Sequence, residues 1–392
     1  MPRPPHVASS TASLSHGVFS PLLARAKERH KRVFPLHVGD TYLEPIEEAR
    51  AESQRTENHP RLHNYAPVQG IPDLLTAIGQ HLEGRSGRPI QPENIQVMAG
   101  ATAGLNVTVQ ALLDPGDEVL LPSPFWPLIR GIIASRGAVP IEFPLFTRLA
   151  DDPARVLVDL EKLITPKTAA IYLNSPHNPT GELLPEALAH GIGELAARHN
   201  LWILTDETYE ELYYGSEPPP PLWNLPSYRD RAIATHTFSK SHGLAGARVG
   251  FTHGPRKAME AIRAVQTFQV YCAPQPMQWG ALAALTKGQG WLEEVRTRYA
   301  EAGSRMAERL RVAAPKGGTF LFIDIAPYLR PDEEPLELVG RLADEGVLVT
   351  PGPASGKDFP TWIRLCFTSV GPQDLTEATT RIERVLFGST PS

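Results

Sequence analysis

Two rhythms of apolar and polar positions run through the middle of the chain. Uninterrupted apolar runs at Ala169-Ala170-Ile171-Tyr172-Leu173 and Leu201-Trp202-Ile203-Leu204 predict strands buried on both faces, and Ile95-Gln96-Val97-Met98 reads as a further strand. Between them the apolar residues are spaced three or four apart. Leu74, Leu75, Ile78 and Leu82 share one helical face after Pro72, and Leu188, Ile192 and Leu195 share another in a helix predicted over 183–199, with Asn200 as its stop. A further helix is predicted over 105–113. Strand-helix-strand alternation is clearest between about residues 95 and 255, which predicts an α/β fold with a mainly parallel sheet covered by helices.

Polar clusters lie just past these predicted strands, where a parallel sheet opens its ligand crevice. Asn174-Ser175-Pro176-His177-Asn178-Pro179-Thr180-Gly181 follows one, and Asp206-Glu207-Thr208-Tyr209 follows the next. Gly100-Ala101-Thr102-Ala103-Gly104 follows the strand at 95–98 and opens a helix, whose free amides suit an anion. The segment Thr237-Phe238-Ser239-Lys240 leads on to Arg248, eight residues beyond the lysine. A lysine amine forms an imine with an aldehyde, and an arginine grips a phosphate with a planar, permanently charged fork. Pyridoxal 5'-phosphate (PLP) carries both groups.

With these motifs in place, the chain resembles the fold-type I PLP-dependent enzymes of the class I/II aminotransferase family. The match is collinear from Gly39, through Tyr65 and Pro67-Val68-Gln69-Gly70-Ile71-Pro72, to Arg364. The resemblance implies that Lys240 carries the cofactor and moves protons, and that Asp206 holds the ring nitrogen protonated. It gives Asn178 and Tyr209 to the ring oxygen and Trp126 to the ring face. Ala101, Thr102, Thr237 and Arg248 would hold the phosphate, joined by Tyr65 from a neighbouring subunit of a homodimer. Arg364, with the backbone of Gly39 and with Asn178, would hold the substrate carboxylate.

The implied activity is a ping-pong exchange of an amino group between an amino acid and a 2-oxo acid through the Lys240 imine. The alternative is another reaction of an amino acid on the same scaffold: a lyase, cyclase, oxidase or decarboxylase. Many relatives that eliminate sulfur carry His where this chain has Tyr209, which favours transamination. The resemblance also implies a large cofactor domain over residues 46–285 and a smaller α/β domain built from 1–45 and 286–392. Most relatives read Gly-Glu-Pro or Gly-Gln-Pro where this chain has Gly39-Asp40-Thr41-Tyr42-Leu43-Glu44-Pro45, so the substrate border is unusual here. His177, His242 and His16 are further candidates for substrate contact.

Composition changes this picture little. At 392 residues with 42% hydrophobic and 21% charged content, the chain is long enough for two domains of ordinary globular composition. The 38 basic and 43 acidic residues leave a net charge of −5, which argues against a broad nucleic-acid surface. Cys272 and Cys366 sit in apolar sequence and read as reduced structural residues, as in a cytoplasmic protein. No apolar leader and no membrane-length run occurs, and no Cys or His cluster has metal-ligand spacing. Pro218-Pro219-Pro220-Pro221 reads as a rigid surface loop, and Lys27 to Arg32 as the solvated face of a helix. A non-catalytic effector-sensing domain would need a DNA-binding domain ahead of Gly39, and too few residues precede it.

Overall fold

The protein is described by a computed structural model that covers residues 19–388, together with Pro5 and Thr11. His16 lies outside the described residues. Seven strands form the main sheet: β1 (Ile95–Met98), β2 (Glu118–Ser123), β3 (Val139–Pro144), β4 (Thr168–Asn174), β5 (Trp202–Asp206), β6 (Ala232–Thr237) and β7 (Gly250–His253). Their spatial order is β1-β7-β6-β5-β4-β2-β3. All neighbours from β6 to β3 pair in parallel, and β7 runs antiparallel to both β6 and β1. The expected mainly parallel sheet is therefore present.

Helices cover both faces, which is why strands such as β4 and β5 are largely apolar and buried. In β5 only Trp202 is partly exposed. The helices of this region are α2 (Glu47–Glu52), α3 (Pro72–Ser86), α4 (Ala101–Leu112), α5 (Pro127–Ser135), α6 (Pro153–Glu161), α7 (Glu186–Arg198), α8 (Arg256–Gln269) and α9 (Gln275–Lys287), while α1 (Phe19–Arg29) precedes them. Leu74, Leu75, Ile78 and Leu82 of α3 are buried together, as their spacing predicts. Gly87 closes α3 with φ +67 and donates to the Glu83 carbonyl at 2.8 Å, a left-handed stop that glycine adopts without steric cost. Lys27, Glu28 and Arg29 lie exposed on α1, as expected of a solvated face.

Two helix boundaries differ from expectation. Helix α7 begins at Glu186 rather than at residue 183, because a residue before proline is pushed out of the helical region and Pro185 therefore delays the start. Helix α4 begins at Ala101 instead of residue 105, directly after Gly100 at φ +83. That earlier start matters for the site, since the amides of Ala101 and Thr102 become first-turn donors without intrahelical partners.

A second, three-stranded antiparallel sheet follows: β8 (Phe320–Asp324), β9 (Thr350–Pro351) and β10 (Trp362–Cys366), in the order β8-β10-β9. It packs with α10 (Gln289–Arg309), α11 (Pro335–Asp344) and α12 (Pro372–Phe387). The N-terminal segment joins this layer: Phe34 bridges Val347, and Phe34 and Leu36 are buried in the same apolar cluster as Ile363 and Leu365. Tyr209 and Leu212, from the turn after β5, enter that cluster too. The segment after β5 therefore touches both sheets' layers, and the site lies there.

Candidate active site

A cavity of about 220 Å³ opens at the carboxyl ends of β5 and β6 and at the start of α4. Other cavities are larger, at about 510 and 320 Å³, so chemistry rather than size singles this one out. Gly39, Ala101, Thr102, Trp126, Asn178, Asp206, Tyr209, Thr237, Lys240, Arg248 and Arg364 all line it. Every residue given a cofactor or carboxylate role by the resemblance lines it except Tyr65, which lies on the surface at 82% exposure with its ring edge-on to Tyr271. Neither His177 nor His242 lines the cavity. His177 is stacked on Phe146 and paired with Thr180, while His242 pairs with Ser241.

Asp206 ends β5, where the strand terminus aims it into the crevice. Only 4% exposed, it accepts from the Tyr172 hydroxyl at 2.7 Å and from the Thr208 amide at 3.1 Å. Burial pushes its carboxyl above the ordinary range, and the bonds from Thr208 and Tyr172 oppose that rise. Tyr172 was not among the residues expected here. Strand parity reveals it: Asn174 lies opposite Asp206 in the register of β4 and β5, and Tyr172 is two residues back on the same face.

Lys240 follows β6 by three residues, and its Nζ donates to the Gly39 carbonyl. Gly39 thus presents its carbonyl to the lysine. Burial lowers the Lys240 pKa, which favours the free amine, the form able to act as nucleophile or base. Gly39 itself is packed closely, since an added Cβ would fall 2.8 Å from the Phe320 ring.

At the other end of the cavity, Arg248 sits at φ +52 and donates to the Ala245 carbonyl at 2.7 Å. A Cβ on Gly100 would lie 2.4 Å from the Arg248 guanidinium. Glycine is therefore required for that guanidinium to lie against the start of α4, where helix amides and a fixed cation converge. The Thr237 hydroxyl is close by and pairs with Ser239 at 2.8 Å.

Arg364, from β10, is 6% exposed and lies over the Phe320 ring at 4.4 Å. It donates to the Asn178 side-chain oxygen at 3.0 Å, to the His37 carbonyl at 3.0 Å and to Thr350 at 3.2 Å. Its Nε is buried without a partner. Asn178 in turn donates to the Tyr209 hydroxyl at 3.3 Å. Sequence reasoning did not single out Phe320 or Thr350, whose places depend on long-range packing of the small sheet. Two guanidinium groups, one amine and one carboxylate thus line a single small cavity, an arrangement suited to an anionic ligand that also needs a buried amine and a buried acid.

Comparison with known proteins agrees with this geometry. The family model described as aminotransferase class I and II matches residues 31–382. The chain is 33% identical over 371 residues to arginine–pyruvate transaminase of Pseudomonas aeruginosa, covering 92% of this chain and 91% of that protein. It is 30% identical to the aspartate/prephenate aminotransferase of Thermus thermophilus, covering 82% and 83%. The solved aspartate aminotransferase of Rhizobium meliloti superposes with a TM-score of 0.89 at 25% identity, over 97% of this chain and 99% of that one. Sequence, fold and cavity converge, and the chain belongs to the class I and II aminotransferases.

Proposed function

We propose that transamination takes place in the Lys240 cavity on bound pyridoxal 5'-phosphate. What carries this is the convergence, within one cavity, of a buried primary amine, a buried carboxylate and a guanidinium laid against a helix start. These groups fit the cofactor's aldehyde, ring nitrogen and phosphate in turn. Ala101, Thr102, Thr237 and Arg248 would hold the phosphate, Asp206 the ring nitrogen, Asn178 and Tyr209 the ring oxygen, and Trp126 the ring face. When bound, the group supplies an electron sink for the carbanion left as an amino acid loses its α-proton.

The chain's own residues do the rest. Arg364, which lines the cavity, binds the α-carboxylate of the amino acid through its guanidinium. Asn178 and Thr350 hold that guanidinium in place. Lys240, favoured as a free amine by burial, takes the proton from the substrate α-carbon and would deliver it to the former aldehyde carbon of the bound cofactor, the shift that transfers the amino group. Donor and acceptor are an amino acid and a 2-oxo acid. The P. aeruginosa relative is named for arginine and pyruvate, and the T. thermophilus relative for aspartate and prephenate; the carboxylate common to all these compounds is the part that Arg364 addresses.

We further read residues 46–285 as the cofactor domain and 1–45 with 286–392 as the smaller one. The apolar clusters around the main sheet, which draw on Ala49 to Ala284, support that division. A cytoplasmic homodimer is the proposed working form. Tyr65, Tyr271 and Phe268, at 82%, 46% and 93% exposure, offer an apolar surface for a second copy, and Tyr65 would reach the partner's phosphate site from there. Both cysteines are free, and no helix of the described residues is long and apolar enough to cross a membrane.

The test is to load the purified protein with PLP, add amino acids singly without an acceptor, and follow its visible spectrum. Transamination requires a spectral change with 2-oxo acid released up to one per site. Catalytic release of ammonia would instead indicate a lyase or oxidase.

A further inference from the structure

Asp206 is held on both of its carboxylate oxygens. The Thr208 amide donates to Oδ1 at 3.1 Å, and the Tyr172 hydroxyl donates to Oδ2 at 2.7 Å. Asn174 fixes the same residue through its backbone, donating from Nδ2 to the Asp206 carbonyl at 2.7 Å. Tyr172 and Asn174 stand two apart on β4, so both lie on the face that meets Asp206 across the β4–β5 register. We propose that Tyr172 is a positioning residue that keeps the proton shared by Asp206 and the ring nitrogen of bound PLP on that nitrogen, an inference that rests on the cofactor reading above.

A buried carboxyl and a pyridine nitrogen that face each other share one proton, and the stronger base holds it. Burial alone makes Asp206 the stronger base, because it disfavours the carboxylate, and the bonds from Thr208 and Tyr172 oppose that effect by stabilising the anion. Burial and the Asp206 charge push the Tyr172 hydroxyl well above its ordinary range, so it remains a donor. The other ionisable groups around Asp206 do not replace it. His236 of β6 favours the anion through charge alone, while Glu207 and Tyr209 of the following turn are pushed up by burial and stay neutral. Packing does not account for the hydroxyl. Tyr172 is 2% exposed in an apolar cluster with Val119, Leu121 and Leu204, a place that a phenylalanine ring would fill equally. Two carboxylate oxygens offer about four acceptor sites, so the bonds from Thr208 and Tyr172 leave room for a ring N–H.

PLP labelled with ¹⁵N at its ring nitrogen reports the proton's position directly, because protonated and neutral pyridine nitrogens resonate far apart. Spectra of the loaded wild type and of loaded Tyr172→Phe, with melting temperatures recorded to confirm the fold, make the comparison. A hydrogen bond to a charged group shifts an equilibrium by roughly 10- to 100-fold, and the ratio of the two proton positions should move towards Asp206 by about that factor. The expected result is a wild-type resonance at the protonated position and a variant resonance displaced towards the neutral one. In steady-state kinetics the variant's kcat should fall roughly tenfold, with KM for the amino acid nearly unchanged. A variant resonance at the wild-type position would overturn the proposal and leave the cofactor reading standing. A wild type that binds no PLP, or holds it with a neutral ring nitrogen, would overturn that reading and this inference together.

Discussion

Arg364 donates from Nη1 to the side-chain oxygen of Asn178 across 3.0 Å, although 186 residues separate them in sequence. The bond ties β10 of the small sheet to the segment after β4 of the large one. It also orients the Asn178 carboxamide, leaving the amide nitrogen for the Tyr209 hydroxyl. One side chain thereby links the proposed carboxylate anchor to the proposed ring-oxygen donor.

Arg364→Lys removes the planar fork and its bonds to Asn178 and Thr350 while keeping the charge. Hydrogen bonds to charged groups are worth about 1.5–3 kcal/mol, so KM for the amino acid should rise on the order of 10- to 100-fold. Steady-state kinetics check this, and an unchanged KM would remove Arg364 from carboxylate binding.

Asp206→Asn keeps the shape and can still accept from Tyr172, but it removes the buried negative charge. Loss of one preorganised electrostatic group costs on the order of 10²–10³ in kcat, and that loss is expected here with little change in melting temperature. A near-normal kcat at full cofactor loading would contradict the role given to Asp206.

Behind the site, Glu210 and His236 form a buried pair at 2.5 Å. Burial pushes the Glu210 carboxyl up, but the pairing with His236 outweighs it and holds the pKa at about 2, below the ordinary 4.5. A carboxyl whose folded pKa is depressed adds stability above pH 4.5, and that stability fades as pH falls from 4.5 towards 2. His236→Phe should therefore cost about 3 kcal/mol at pH 7, and the difference from wild type should shrink across that acid window. Denaturant melts at pH 7, 4 and 3 measure it; a difference independent of pH would show that packing, and not the pair, is responsible.

Strands β4 and β5 were legible because they are buried on both faces and read as unbroken apolar runs, whereas buried strands such as β6 and β7 were not singled out because Thr235, His236, Thr252 and His253 interrupt them. The cofactor-side residues were legible because strand ends place Asn178, Asp206 and Lys240 close to their motifs in sequence. The start of α4 was misplaced by four residues because Ala101 to Gly104 carry no apolar stripe, and Pro185 cut short the predicted start of α7. Long-range partners were the least legible. Phe320 under Arg364, and the Gly39 carbonyl on Lys240, depend on how the N-terminal segment and the small sheet meet the large one. No local pattern records that meeting.

In the proposed reaction the Lys240 amine moves the substrate's α-proton. Single-turnover release of 2-oxo acid, measured without acceptor on PLP-loaded wild type and on Lys240→Ala with confirmed fold and loading, tests it most directly. A general base of this kind contributes roughly 10²–10⁴-fold, so the variant should be slower by at least about 10²-fold. A Lys240→Ala protein releasing 2-oxo acid within a few-fold of the wild-type rate would contradict the account.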